Sequence, residues 1–183
     1  MLTEQYRMSQ RIQSFASAEF YDGALRPASG EVAGQAVADL VDPAALPAGL
    51  RDGVAFVDPD GERVGNTNPV EADRVAEIVE GYIAAGVDPE DIGVIAPFRA
   101  QVAEISRRVD VTVDTVDRFQ GSSKEIIVLS FVATGQLEGP LFEDHRRINV
   151  ALTRAKKGLV LVGDRAALSS EPFYERMLEW ADR

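Results

Sequence analysis

Four short segments of the chain hold residue types from which a phosphate or nucleic-acid site could be assembled. They are Gln5-Tyr6-Arg7-Met8, Ala96-Pro97-Phe98-Arg99-Ala100-Gln101, Thr115-Val116-Asp117-Arg118-Phe119-Gln120-Gly121, and the run from Arg146 to Lys156. Guanidinium groups present paired donors that match phosphate oxygens. In the last run Ile148, Ala151, Leu152 and Ala155 follow the i, i+3, i+4, i+7 spacing of a buried helix face. Arg146, Asn149, Thr153 and Lys156 then fall on another face, and Arg147 and Arg154 share a side two turns apart. Such a helix, read as His145 to Ala155, could serve an anionic ligand or could be a solvated surface. Arg7 leaves the same pair of readings, a phosphate contact or a surface ion pair. Tyr6 could stack on a base or sit in the core. Gln120-Gly121 could bring backbone close to a ligand or only end a turn.

Other chemistries lack their residues. There are no cysteines and one histidine, His145, so thiolate and histidine metal sites are not expected. The chain has no G-x-x-x-x-G-K-[ST] loop to cradle a triphosphate and no strand ending in Asp-Glu to hold magnesium. No Gly-x-Ser-x-Gly elbow occurs, and Glu143-Asp144 falls in an expected loop without partner ligands. Net charge is −11, which opposes nucleic-acid binding by bulk attraction. The acidity is local, however: Asp39 to Asp91 holds 13 acidic and 3 basic residues, while Arg99 to Arg165 holds 11 basic and 9 acidic ones. No apolar stretch is long enough for a membrane span and no secretory leader is seen, which points to a cytoplasmic protein.

The elements that must position these segments can be read from periodicity. Ser9 caps a helix to Tyr21, and Asn68-Pro69 with Glu71 starts a helix that runs to Ala85 and ends at Gly86. Strands are expected at 54–58, 92–96, 111–116, 126–132 and 159–162, with further helices over 98–108, 145–155 and 172–181. Residues 26–68 read as a long irregular segment apart from the 54–58 strand. Apolar strands alternating with amphipathic helices imply an α/β fold with a mostly parallel sheet covered on both faces. Ligand chemistry in such folds gathers at the carboxyl ends of strands.

The segments and their order resemble the second motor domain of superfamily 1 helicases, in the branch of the nonsense-mediated-decay RNA helicase and the Okazaki-fragment nuclease-helicase. Leu2 to Met8 resembles the family's Leu-x-x-Gln-Tyr-Arg-Met, and Phe20 to Leu25 its Phe-Tyr-x-Gly-x-Leu. Gly93 to Gln101 resembles its strand leading to Pro-Tyr-x-x-Gln, Val113 to Ser130 its motif V, and Arg146 to Asp164 its motif VI. The resemblance implies a three-layer RecA-like fold, related to the P-loop NTPases, over residues 1–183. It implies that Arg154 and Arg7 reach the γ-phosphate of ATP across a domain cleft, and that Tyr6, Gln120, Gly121 and Ser123 lie near the nucleotide. Pro97, Phe98, Thr115 and Arg118 match positions on or beside the nucleic-acid backbone. ATP and Mg2+ would be held mainly by an absent first RecA-like domain, with single-stranded DNA or RNA as the other partner. This half alone would then not hydrolyse ATP.

The sequence also departs from that pattern. Ser9-Gln10 stand where His-Pro is usual, Ser123 replaces an acid of motif V, and Glu125 stands where Asp is usual. Ala96 and Phe98 replace Thr and Tyr, which removes two hydroxyls, each worth about 0.5–1.5 kcal/mol as a net hydrogen bond. The substituted motif V and the acidic 39–91 segment also suit another reading, a non-catalytic helicase-derived module that docks a protein.

Overall fold

The central sheet grows from short apolar runs, and a computed structural model describes residues 3–183 of the chain. Leu2 of the opening motif lies outside them. The chain runs β1 (Glu4–Gln5), α1 (Gln10–Phe20), β2 (Arg26–Pro27), α2 (Gly30–Ala33), β3 (Val54–Val57), α3 (Pro69–Ala85), β4 (Ile92–Ile95) and α4 (Arg99–Ser106). It continues through β5 (Thr112–Asp114), α5 (Val116–Phe119), β6 (Lys124–Ser130), α6 (Pro140–Glu143), α7 (His145–Leu152), β7 (Ala155–Val162), α8 (Arg165–Leu168) and α9 (Pro172–Ala181). Five strands form one sheet in the order β3-β7-β6-β4-β5, every neighbouring pair parallel. β1 and β2 pair separately, also in parallel.

Alternate residues of these strands feed two cores. Ile127, Leu129, Leu159 and Leu161 face Ile12 and Phe15 of α1, Ile148 and Leu152 of α7, and Phe173, Met177 and Trp180 of α9. Ile126, Val128, Val160 and Val162 face Val75, Val79 and Tyr82 of α3 and Ile105 of α4. The result is the three-layer α/β arrangement expected from the alternation.

Local signals explain the helix ends. The Ser9 side chain accepts from the Ile12 amide at the start of α1. Asn68 accepts from the Glu71 amide at the start of α3, Pro69 needs no amide partner there, and Gly86 closes the helix at φ +115°.

Three expectations need correction. The helix read as 145–155 stops at Leu152, because Ala155 already pairs with Lys124 in the sheet. Arg154 therefore lies in the turn between helix and strand, although Ala155 is as buried as the helical pattern required. The stretch 26–68 is more ordered than expected. It contains β2, α2 and three single 3-10 turns, and Val37, Leu46 and Leu50 in it are buried in the α3 core. Its scattered valines and leucines fill that core without helical or strand periodicity. Last, the strand read as 111–116 stops at Asp114, and Val116 opens α5 in the connection that crosses β4 to reach β6. Phe119 of that connection packs so closely on Gly93 that a Cβ there would stand 2.9 Å from its ring. No helix among the described residues is long and apolar enough to cross a membrane.

Candidate functional site

Two groups of side chains collect at opposite edges of the sheet, and α7 runs between them. The first opens at the amino ends of β6 and β7, in a cleft of about 600 Å3 lined by Gln5, Tyr6, Arg7, Ser123, Thr153 and Arg154 among others. The segment Gln5 to Met8 is shaped by Gln5 itself. Its buried side chain accepts from the Arg7 and Met8 amides at 2.9 and 2.7 Å and donates to the Met8 carbonyl at 2.8 Å. This closed loop turns Arg7 into the cleft and leaves Tyr6 76% exposed, so Tyr6 is not a core residue. The Ser9 amide ties the loop to the start of β7 through the Lys156 carbonyl at 2.9 Å.

Arg7 and Arg154 meet at the carboxyl end of α7. Arg7 Nη1 donates to the Thr153 carbonyl at 3.1 Å. Arg154 Nε donates to the Val150 carbonyl at 3.1 Å and its Nη1 to the Ser122 carbonyl at 3.0 Å. A helix carboxyl end is partly negative, which helps hold two cations side by side. Neither arginine has an ion pair with a carboxylate among the described residues. Burial lowers the Arg154 guanidinium below its ordinary value, and the nearby charge of Arg7 pushes the same way. Two neighbouring cations whose hydrogen bonds go only to neutral acceptors can take up an anion. Lys156 also lines the cleft but is drawn to Glu125 at 3.9 Å, and Lys157 pairs with the same carboxylate at 2.5 Å. Glu125 is thereby occupied on the sheet.

Gln120 and Gly121 do not join this cleft. Both are exposed, and Gly121 adopts φ +86° in the turn that leads to Ser123. The two arginines do not lie at the carboxyl ends of the strands. They sit at the amino edge, because α7 runs back against the strands and delivers its last turn there.

The second group does lie at carboxyl ends, after β4 and β5. Pro97, Phe98, Thr115 and Arg118 line one groove of about 300 Å3 together with Arg99, Asp117 and Arg147. Sequence reading singled out the first four for nucleic acid and read Arg147 only as part of a helix that could serve an anionic ligand or be a solvated surface. Asp117 and Arg147 approach at 3.6 Å, and Arg118 and Asp114 at 3.9 Å. Phe98 is held by its neighbours: the Arg63 guanidinium lies 4.8 Å from its ring centre, and a Cβ at Gly139 would collide with the ring.

Behind this groove is a polar network that the sequence did not disclose. Buried Gln101 accepts from the Asn68 amide at 2.9 Å and donates to the Asn68 carbonyl at 3.1 Å and the Ser130 hydroxyl at 3.2 Å. The Ser130 hydroxyl and Val132 amide both donate to Glu71, at 2.5 and 2.9 Å. Burial raises the Glu71 carboxyl to about 7 even though these bonds favour its charged form. Gln101 thus joins α3, α4 and β6 and does not face a ligand. Only its place three residues after Phe98 hinted at a role.

The parallel sheet with helices on both faces is an α/β fold similar to that of helicase RecA-like domains. Residues 1–166 match the AAA_12 family, described as an AAA domain. The chain is 36% identical to the DNA replication ATP-dependent helicase/nuclease JHS1 of Arabidopsis thaliana, over 97% of this chain and 15% of that protein. It is 35% identical to an ATP-dependent helicase of Methanocaldococcus jannaschii, over 99% of this chain and 29% of that protein. A solved structure, described as the C-terminal domain of a possible DNA helicase from Lactobacillus plantarum, shares the fold with a TM-score of 0.54 at 12% identity, covering 94% of this chain and 93% of that one. The chain belongs to the AAA_12 family and is a superfamily 1 helicase domain of the branch expected from its motifs. It spans less than a third of the length of these curated relatives.

Proposed function

We propose that this chain is the second RecA-like domain of an ATP-dependent nucleic-acid helicase or translocase. In this reading Arg154 and Arg7 reach the γ-phosphate of an ATP-Mg2+ held by a first RecA-like domain of the same parent chain. The observation that carries the reading is the pairing of Arg7 with Arg154 in an open cleft, both bound to neutral carbonyls and neither to an acid. Negative charge spreads over the transferred phosphoryl oxygens during hydrolysis, and cations fixed beforehand by the protein stabilise it. The exposed Tyr6 ring at the rim is placed to pack on the nucleotide base, and Ser123 lines the same cleft. Gln120 and Gly121 contribute by shaping the turn before Ser123.

Single-stranded nucleic acid lies at the other edge, with its phosphates near Thr115 and Arg118 and its sugars against Pro97 and Phe98. Loss of the γ-phosphate weakens the bridge between the two domains, and the cleft opens; repeated closure and opening move the strand. The phosphate loop, its lysine and the magnesium ligands belong to the first domain.

The test uses the parent protein and measures nucleic-acid-stimulated ATP hydrolysis. Arg154→Gln is expected to lower kcat by about 1,000-fold or more, the range of an arginine finger, with Arg7→Gln in the same direction. Unchanged turnover in Arg154→Gln would sink the motor reading in favour of a non-catalytic docking module.

A further inference from the structure

The strand groove holds a carboxylate that a simple phosphate-binding surface would not contain. Asp117 lines it beside Thr115 and Arg118, and its Oδ2 stands 3.6 Å from Nη1 of Arg147. The pair is accessible: the Asp117 side chain is 67% exposed and that of Arg147 40%. Arg147 sits in the first turn of α7, and Asp117 in α5. The strip from Thr115 to Ser123 therefore meets the start of α7 through Asp117–Arg147 in the groove and the turn after α7 through the Ser122 carbonyl and Arg154 at the cleft.

We propose that Asp117 competes with the nucleic-acid phosphate for Arg147 and keeps strand affinity low. The inference rests on the strand reading of the groove given above. A phosphate that approaches Arg147 must displace a carboxylate, so one ion pair is exchanged for another instead of being added. The displaced carboxylate remains in the groove and repels the same phosphate. An exposed pair of this kind is weak enough to break on each cycle. A motor must release its track as often as it grips it, and a built-in competitor shortens the grip without removing the cation.

The experiment is fluorescence anisotropy with a labelled oligodeoxythymidylate and, separately, an oligouridylate, over a range of salt concentrations. Asp117→Asn is expected to tighten binding about two- to fivefold at low salt, the scale of one exposed charge pair. The slope of log K against log salt should steepen by about 0.7, one added phosphate contact on a single strand. Asp117→Ser, a smaller neutral residue, should repeat the gain, and Asp117→Glu should restore wild-type binding. Arg147→Gln should abolish the gain in the Asp117→Asn background. If the carboxylate were purely structural, its removal would instead lower the melting temperature and leave the slope unchanged. That result, with Arg118→Gln still weakening binding, overturns the role of Asp117 alone. Binding by the wild-type chain that is unaffected by Arg118→Gln overturns the groove reading itself.

Discussion

At the scale of single residues, Glu71 is the group whose ionisation the fold resists. It is 1% exposed, with no cation paired to it among the described residues, and burial outweighs two strong donors. Its carboxyl moves from the ordinary 4.5 to about 7. A raised acid pKa means that the folded state holds its proton longer than the unfolded chain does. The associated stability is fully present below about 4.5 and is lost as pH rises through about 7. The loss should approach about 3 kcal/mol, given about 1.4 kcal/mol for each unit. Urea unfolding at pH 5 and pH 8 should therefore show a smaller decline for Glu71→Gln than for wild type, with Gln still able to accept from the Val132 amide. An equal decline in both proteins would place the titration elsewhere. The sequence showed Glu71 only as an acid in the first turn of a helix. Its burial depends on Ser130 and Val132, about 60 positions away in sequence, and no local pattern reveals that.

Elements were legible in the sequence where short-range chemistry decides them. Asn68-Pro69 with Glu71 and Gly86 fixed both ends of α3, and the Ile92, Ile126 and Leu159 runs gave strands of the right type. Gln101 bonds only the backbone of Asn68, which alanine keeps, so Asn68→Ala should cost no more than a lone cap, about 0.5–2 kcal/mol, as measured by urea unfolding. What stayed hidden was set by the sheet. Helix α7 ends early because β7 claims Ala155, and the small α5 exists because the β5–β6 connection must cross β4. Gly93 is the position where that crossing is tightest. Gly93→Ala should destabilise the fold by about 1–3 kcal/mol through overpacking against Phe119, whereas glycine-to-alanine change at open Gly49 should be nearly neutral. Equal effects at the two positions would mean that Phe119 yields without strain.

For the molecule as a whole, the two candidate surfaces are mechanically linked but chemically separate. Helix α7 has 8 residues and so spans about 12 Å, with Arg147 near its start and Arg154 just past its end. The order of motifs in the sequence disclosed both groups of residues, yet it could not show that one faces the amino edge and the other the carboxyl edge. That division follows from helices running back against parallel strands, a property of the assembled sheet. It makes a double prediction for the isolated chain. Inorganic pyrophosphate should raise the melting temperature of wild type through the Arg7–Arg154 cleft, since a ligand that binds only the folded state stabilises it. Arg154→Gln should lose that shift and keep its oligonucleotide affinity. Arg118→Gln should keep the shift and lose affinity, with the salt slope shallower by about 0.7. If either substitution removed both responses, the anion cleft and the groove would be one site, and a domain that grips phosphate at one edge and a strand at the other would no longer describe the protein.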